Sequence, residues 1–191
     1  MLPAMSHSLH PKRAGILVLA ASLLLTSTAG LHAADRAQKR GEARAALNRL
    51  YAEHPGARQL GKSAEGVLVF PGIVKAGLVI GGQQGDGTLF RNGNAVGYYK
   101  SIAASYGLQA GVQKFSYVLF FMKAEDLAYL RKSEGWEIGT GPSIVLVDKG
   151  MAKTLSSTTL RKGVYTFIFG QKGLMAGVGL QGTKITPIHP R

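Results

Sequence analysis

The sequence predicts an α+β fold: a curled antiparallel, glycine-rich β-sheet with a barrel-like core, helices at its N-terminus and a small α/β insertion. Three observations carry this. Apolar runs of strand length, bounded by Gly, Pro and Asp, fill the chain from Gly66 onward. A five-residue unit with glycine at both ends recurs, as Gly77–Gly81, Gly107–Gly111 and Gly173–Gly177. A stretch of apolar residues at helical spacing precedes them.

The first 34 residues read as a secretory leader. Lys12-Arg13 is a basic n-region, Ala14 to Leu25 an apolar h-region, and Thr26 to Ala34 a small, polar cleavage region ending in Ala33-Ala34. The alternative is an uncleaved anchor. The mature chain, residues 35–191, is then expected to be exported, periplasmic or secreted. It has no cysteine, which excludes a lipobox, disulfides, thiol catalysis and thiolate metal sites.

Residues 35–64 are expected to be helical. Asp35 is the N-cap candidate, and Ala43, Ala46, Leu47, Leu50 and Tyr51 share one face. Pro55-Gly56 breaks the segment, and Ala57, Leu60 and Ala64 give a second, short helix. Arg36, Arg40 and Arg44 form a basic stripe beside a mostly alanine face. Such a stripe suits a membrane surface or, equally, a solvated face of a helix packed on the sheet.

Residues 65–185 are the expected β-rich core. Gly66 to Phe70 is a strand stopped by Pro71-Gly72, and Ile73 to Gln83 a second that Gly85-Asp86-Gly87 turns into a third. Thr88–Arg91 and Asn94–Tyr99 flank Asn92-Gly93, a hairpin signal. Tyr117 to Met122 is a buried strand, Ala124 to Arg131 a short helix with acids first and bases last. Trp136–Gly139, Ser143–Val147 and Val164–Phe169 are further strands, Lys149 to Lys162 a polar turn-rich stretch, and Thr183 to Arg191 a tail. Within a strand, glycines at i and i+4 share a face. The repeated unit therefore either bends the sheet or lines a ligand groove with Gly77, Gly81, Gly107 and Gly111.

The net charge is +13, and losing Lys12 and Arg13 with the leader lowers it only to +11. This basicity favours anionic partners. Enzymatic signals are weak. Gly56 to Ser63 fits the phosphate-loop pattern, but a helix precedes it and a strand follows, the reverse of what phosphate binding needs. Gly177 to Gly182 fits G-x-G-x-x-G with only nine residues left after it. Beyond the leader the histidines are His54 and His189, with no cluster at metal-ligand spacing. No catalytic residue, metal, cofactor, nucleotide or nucleic-acid partner is expected.

Four ordered blocks carry a family resemblance: AEGVLVFPGIVKAGLVIGGQQGDGTLF, VGYYKSIAASYGLQAGVQKFSYVLFFM, GWEIG and FGQKGLMAGVGLQGTKI. Over about Ala43 to Ile185 the chain resembles the SYLF domain, a lipid-binding domain of bacterial exported proteins and eukaryotic actin regulators. The resemblance implies a compact β-rich fold and non-enzymatic binding to an anionic phospholipid surface, including phosphoinositide-type headgroups. Arg36, Lys39, Arg40, Arg44 and Lys75 are then the headgroup candidates. The alternative is a cell-envelope structural module with a protein partner.

Overall fold

The computed structural model describes residues 14–77, 80–106, 111–132, 134–147, 163–173, 180 and 182–188. The chain divides into two compact units between Gln38 and Lys39. The described part of the first is helical throughout, the opening of α1 (Ala14–Glu53). Asp35 is therefore not a cap. It sits inside a continuous helix, because alanine-rich, helix-favouring sequence flanks it on both sides and nothing stops the helix there. Among the described residues no helix is long and apolar enough to cross a membrane.

The described residues of the second unit form the rest of α1, α2 (Pro55–Ser63), α3 (Ala124–Lys132) and eight strands. These are β1 (Gly66–Gly77), β2 (Ile80–Arg91), β3 (Asn94–Tyr106), β4 (Gly111–Phe121), β5 (Trp136–Glu137), β6 (Ile144–Leu146), β7 (Val164–Gly173) and β8 (Lys184–Pro187). They form one sheet in the order β5-β8-β3-β2-β1-β4-β7-β6, curled into a half-barrel. It is antiparallel except for β6, which runs parallel to β7. The predicted curled sheet with N-terminal helices is thus the fold, with a mixed edge.

The helix break falls where proline demands it. His54 leaves helical geometry and Pro55 opens α2, where its missing N–H is not needed. Gly56 to Ser63, the stretch resembling a phosphate loop, is helical. Gly61 in it lies against the Tyr51 hydroxyl, so its glycine serves close packing of α2 on α1.

Strand bounds differ from the sequence reading in one instructive way. Pro71-Gly72 does not end a strand and Gly85-Asp86-Gly87 does not turn one. Both lie inside strands, and the chain reverses between Gly77 and Ile80 instead. Pro71-Gly72 is a bulge: Val69 pairs with Thr88 and Val74 with Gln84, so β1 spends one residue more than β2. A bulge tolerates proline in a central strand because no ladder hydrogen bond is asked of it. Opposite, a Cβ on Gly85 would stand 2.6 Å from the Gly72 carbonyl oxygen, and one on Gly87 2.6 Å from the Phe70 ring. These glycines let β1 and β2 approach.

The expected C-terminal tail contains a strand as well. β8 pairs with β3 on one side and β5 on the other, burying Thr183 and Ile185. It covers what would otherwise be the open edge of β3.

The sheet has two buried faces. On one, Ala43, Ala46, Leu47 and Leu50 of α1 and Ala57 and Leu60 of α2 pack on Val67, Val69, Phe90, Val118, Phe120 and Phe167. The other carries Leu68, Phe70, Ile73, Phe115, Tyr117, Phe121 and Trp136. The curl closes towards this second face. Trp136 of β5 meets Phe121 of β4 at 5.9 Å between ring centroids, although four strands separate β5 from β4. The Tyr117 hydroxyl of β4 likewise bonds the Ser101 hydroxyl of β3 at 2.8 Å, across two intervening strands.

Two outcomes follow. Gly87→Val forces Phe70 and the β1 backbone apart and should cost about 1–3 kcal/mol by overpacking, read from chemical denaturation at constant m-value. Burial holds the Tyr117 phenol well above the ordinary tyrosine range, outweighing its bond to Ser101. The folded state therefore holds this proton more tightly than the unfolded chain does. Its contribution to stability is complete below about pH 10 and is lost as pH rises further. Thermal melts should fall above pH 10, and less steeply in Tyr117→Phe.

Candidate functional site

The predicted headgroup cations occupy different environments. Arg36 is exposed on the first unit. Lys39 places its ammonium 3.2 Å from the Asp86 carboxylate of β2. Arg40 is exposed. Arg44 donates to the Gly93 carbonyl at the tip of the β2–β3 hairpin and lies 4.8 Å over the Phe90 ring. That tip is the expected Asn-Gly turn, with Asn92 and Gly93 both at positive φ. Lys39 and Arg44 are thus tied to the sheet by an ion pair and by a hydrogen bond with a cation–π contact.

Lys75 differs from the others. It is nine-tenths buried. In an unbroken strand Lys75 would share a face with Val67 and Val69. The Pro71-Gly72 bulge shifts the alternation by one residue. Lys75 therefore joins Leu68, Phe70 and Ile73 on the concave face. Its partners in register are Gln83 of β2 and Gln113 of β4, both buried.

The repeated glycines lie at one end of the sheet. Gly77 pairs with Gly81 on one side and Gly111 on the other, so three of the four groove candidates stand side by side. Gly107 lies outside the described residues, as does the polar stretch 149–162. Gly77 and Gly81 face each other on neighbouring strands and not along one strand. A Cβ on Gly77 would come within 2.5 Å of the Gly81 Cα, and Gly111 has φ 143°. Close backbone approach and backbone conformation thus account for glycine at 77 and 111.

A surface that the sequence reading missed lies at the same end, on the opposite face. The rows Ile102–Gln84–Val74–Lys114–Lys172 and Ala104–Gly82–Ala76–Val112 run across β3, β2, β1, β4 and β7. Ile80 lies two residues beyond Gly82. This face continues the one that α1 and α2 cover further along the strands. Here Val74, Ile80, Ile102 and Val112 are exposed, at 39, 70, 47 and 57 %. Lys114 and Lys172 lie in the same row, Lys100 lies two residues from Ile102, and all three are exposed. Scattered apolar residues on a surface are ordinary, but four on one face beside lysines form a patch. Its sequence signal is the alternation of Lys114 and Val112 and of Lys100 and Ile102, which becomes legible only with the strand register.

Among the described residues no group of His, Asp and Glu is placed to hold a metal. The Asp126 carboxyl is raised by burial, against the pull of Lys123, at the N-terminal turn of α3.

Fold and surface together define an α+β curled-sheet domain. Residues 102–189 match the family described as Ysc84: Las17-binding protein actin regulator. This is the SYLF family, the same one that the sequence resembles. It is a family of binding domains, known for binding lipid or actin regulators. The match covers a little under half of the chain and includes Ile102, Val112, Lys114 and Lys172, but not Val74, Lys75 or Ile80. No curated protein matches the chain.

Arg44→Ala should lower stability by about 1 kcal/mol, since it removes a hydrogen bond and a ring contact. Arg40→Ala should stay within about 0.5 kcal/mol of the parent. Equal effects in denaturant titrations would mean that Arg44 does not clip the hairpin.

Proposed function

We propose that this is an exported, non-enzymatic binding protein that associates peripherally with anionic phospholipid, phosphoinositide-type headgroups included. The observation that carries the reading is the exposed Val74, Ile80, Ile102 and Val112 patch beside Lys100, Lys114 and Lys172. Apolar side chains gain by leaving water for the acyl boundary, and lysines around them meet phosphate. Each lysine at an anionic surface contributes on the order of 1 kcal/mol, less as salt rises. The net charge of +11 on the chain without its leader works in the same direction at longer range. Export rests on the basic, apolar and small-residue segments of the first 34 residues. The family match supports a binding role and leaves the ligand to be tested.

Co-sedimentation with phosphatidylglycerol-containing vesicles should exceed that with phosphatidylcholine alone at least tenfold at low salt, and weaken at high salt. Reversing Lys100, Lys114 and Lys172 to Glu, or replacing Ile80 and Val112 with Asp, should reduce it at least tenfold. Equal binding to neutral vesicles, or binding to neither, would refute the reading. Capture of one envelope protein by a chain that ignores vesicles would replace it with the protein-partner alternative.

A further inference from the structure

The exposed patch is ordered along the strands. One row runs Lys184–Ile102–Gln84–Val74–Lys114–Lys172 across β8, β3, β2, β1, β4 and β7, and ends beside Glu137 of β5. Lys114 and Lys172 flank its middle on one side and exposed Lys184 on the other. In the row behind it Lys100 stands beside Asp86, whose carboxylate lies 3.2 Å from the Lys39 ammonium. Towards the strand ends the charge stops. The next row on this face is Ala104–Gly82–Ala76–Val112, and Ile80 lies beyond it. In a chain of net charge +13, the sequence has no charged residue at 76–85, 101–113 or 173–183, the stretches that contain the three glycine repeats. Lys75 and Asp86, Lys100 and Lys114, and Lys172 and Lys184 bound them.

We infer that this end of the sheet enters an anionic bilayer end-on. The strands stand steeply to the surface, Ile80 and Val112 go deepest, and the lysine row stops at the phosphates. The inference rests on the membrane reading above and adds an orientation to it. Flat docking is blocked on this face. α1 and α2 cover it further along the strands, and a packed helix adds a layer about 10 Å thick. At about 3.3 Å per residue, Ile80 lies about 13 Å beyond the lysine row and Val112 about 7 Å. An interfacial apolar face reaches about 5–10 Å into the boundary between headgroups and acyl chains, so the spacing of the two layers fits. A charge in the deeper layer would lose its hydration, and none stands there. β1 and β2 are each paired on both sides through these rows, so their backbone groups are satisfied within the sheet as a nonpolar layer requires.

The chain has no cysteine, so single-cysteine variants of the full chain take one fluorophore each. Ile80→Cys, Val112→Cys, Ile102→Cys and Val96→Cys are labelled and mixed with phosphatidylglycerol–phosphatidylcholine vesicles that carry quenchers at set depths. Val96 is the control, 53 % exposed but at the other end of β3. The label at 80 should lie deepest, that at 112 next and that at 102 among the headgroups, while that at 96 stays in water. Equal depths at 80 and 102, or a label at 96 in the bilayer, would overturn the orientation and leave membrane binding standing. A second measurement places the same charge in two rows. Gln84→Arg adds a cation to the lysine row and should tighten vesicle binding about fivefold. Ala104→Arg adds it one row nearer the strand ends and should weaken binding about tenfold. Both positions are exposed, so both variants should melt like the parent. Attachment by charge alone would tighten in both, and that result also overturns the inference. A parent that ignores the vesicles at low salt removes the membrane reading and the orientation with it.

Discussion

The architecture depends on how β1 meets its neighbour β2 at the Pro71-Gly72 bulge. The bulged backbone and the Phe70 ring leave no room for a Cβ on β2 opposite them, and Gly85 and Gly87 meet that condition. The extra residue on β1 bends the strand and increases local twist. The Phe70 ring fills the space over Gly87 and stacks on Tyr117 at 4.5 Å. Tyr117 in turn reaches across two strands to Ser101. The curl is therefore held at its centre by an aromatic stack and a buried hydrogen bond, both dependent on two glycines that contribute no contact of their own.

The same bulge decides which residues see which face. Before it, Val67 and Val69 lie under the helices. After it, Val74 and Ala76 take that face while Ile73 and Lys75 turn to the concave side. No period-2 count along β1 reveals this, because the count assumes an unbroken strand. Proline and glycine announced an irregularity at the right place, and reading it as a strand end was the natural error. Both a turn and a bulge require the same residues, and only the pairing partner distinguishes them.

What was legible followed from strong local chemistry. Pro55 broke the helix, Asn92-Gly93 made the hairpin, and acids and bases framed α3 as its dipole requires. What was not legible depended on partners distant in sequence. The tail strand at Lys184–Pro187 exists because β3 offers an edge. The Asp35 cap failed because a cap starts a helix only where one has not already begun. The exposed patch draws Val74, Ile80, Ile102 and Val112 from four strands, and no window of sequence contains them together.

The glycine repeats show how a pattern can be real and still be explained locally. They do gather at one end of the sheet, and that end carries the apolar, lysine-flanked face. Yet Gly77 must be glycine because the Gly81 backbone is too near for a Cβ, and Gly111 because of its φ. Neither requirement involves a ligand. The weight of a binding argument at this end falls on the side chains whose placement costs free energy without a compensating contact. Val74, Ile80, Ile102 and Val112 are such residues. A fold that only had to close its core would carry polar residues at 80 and 112.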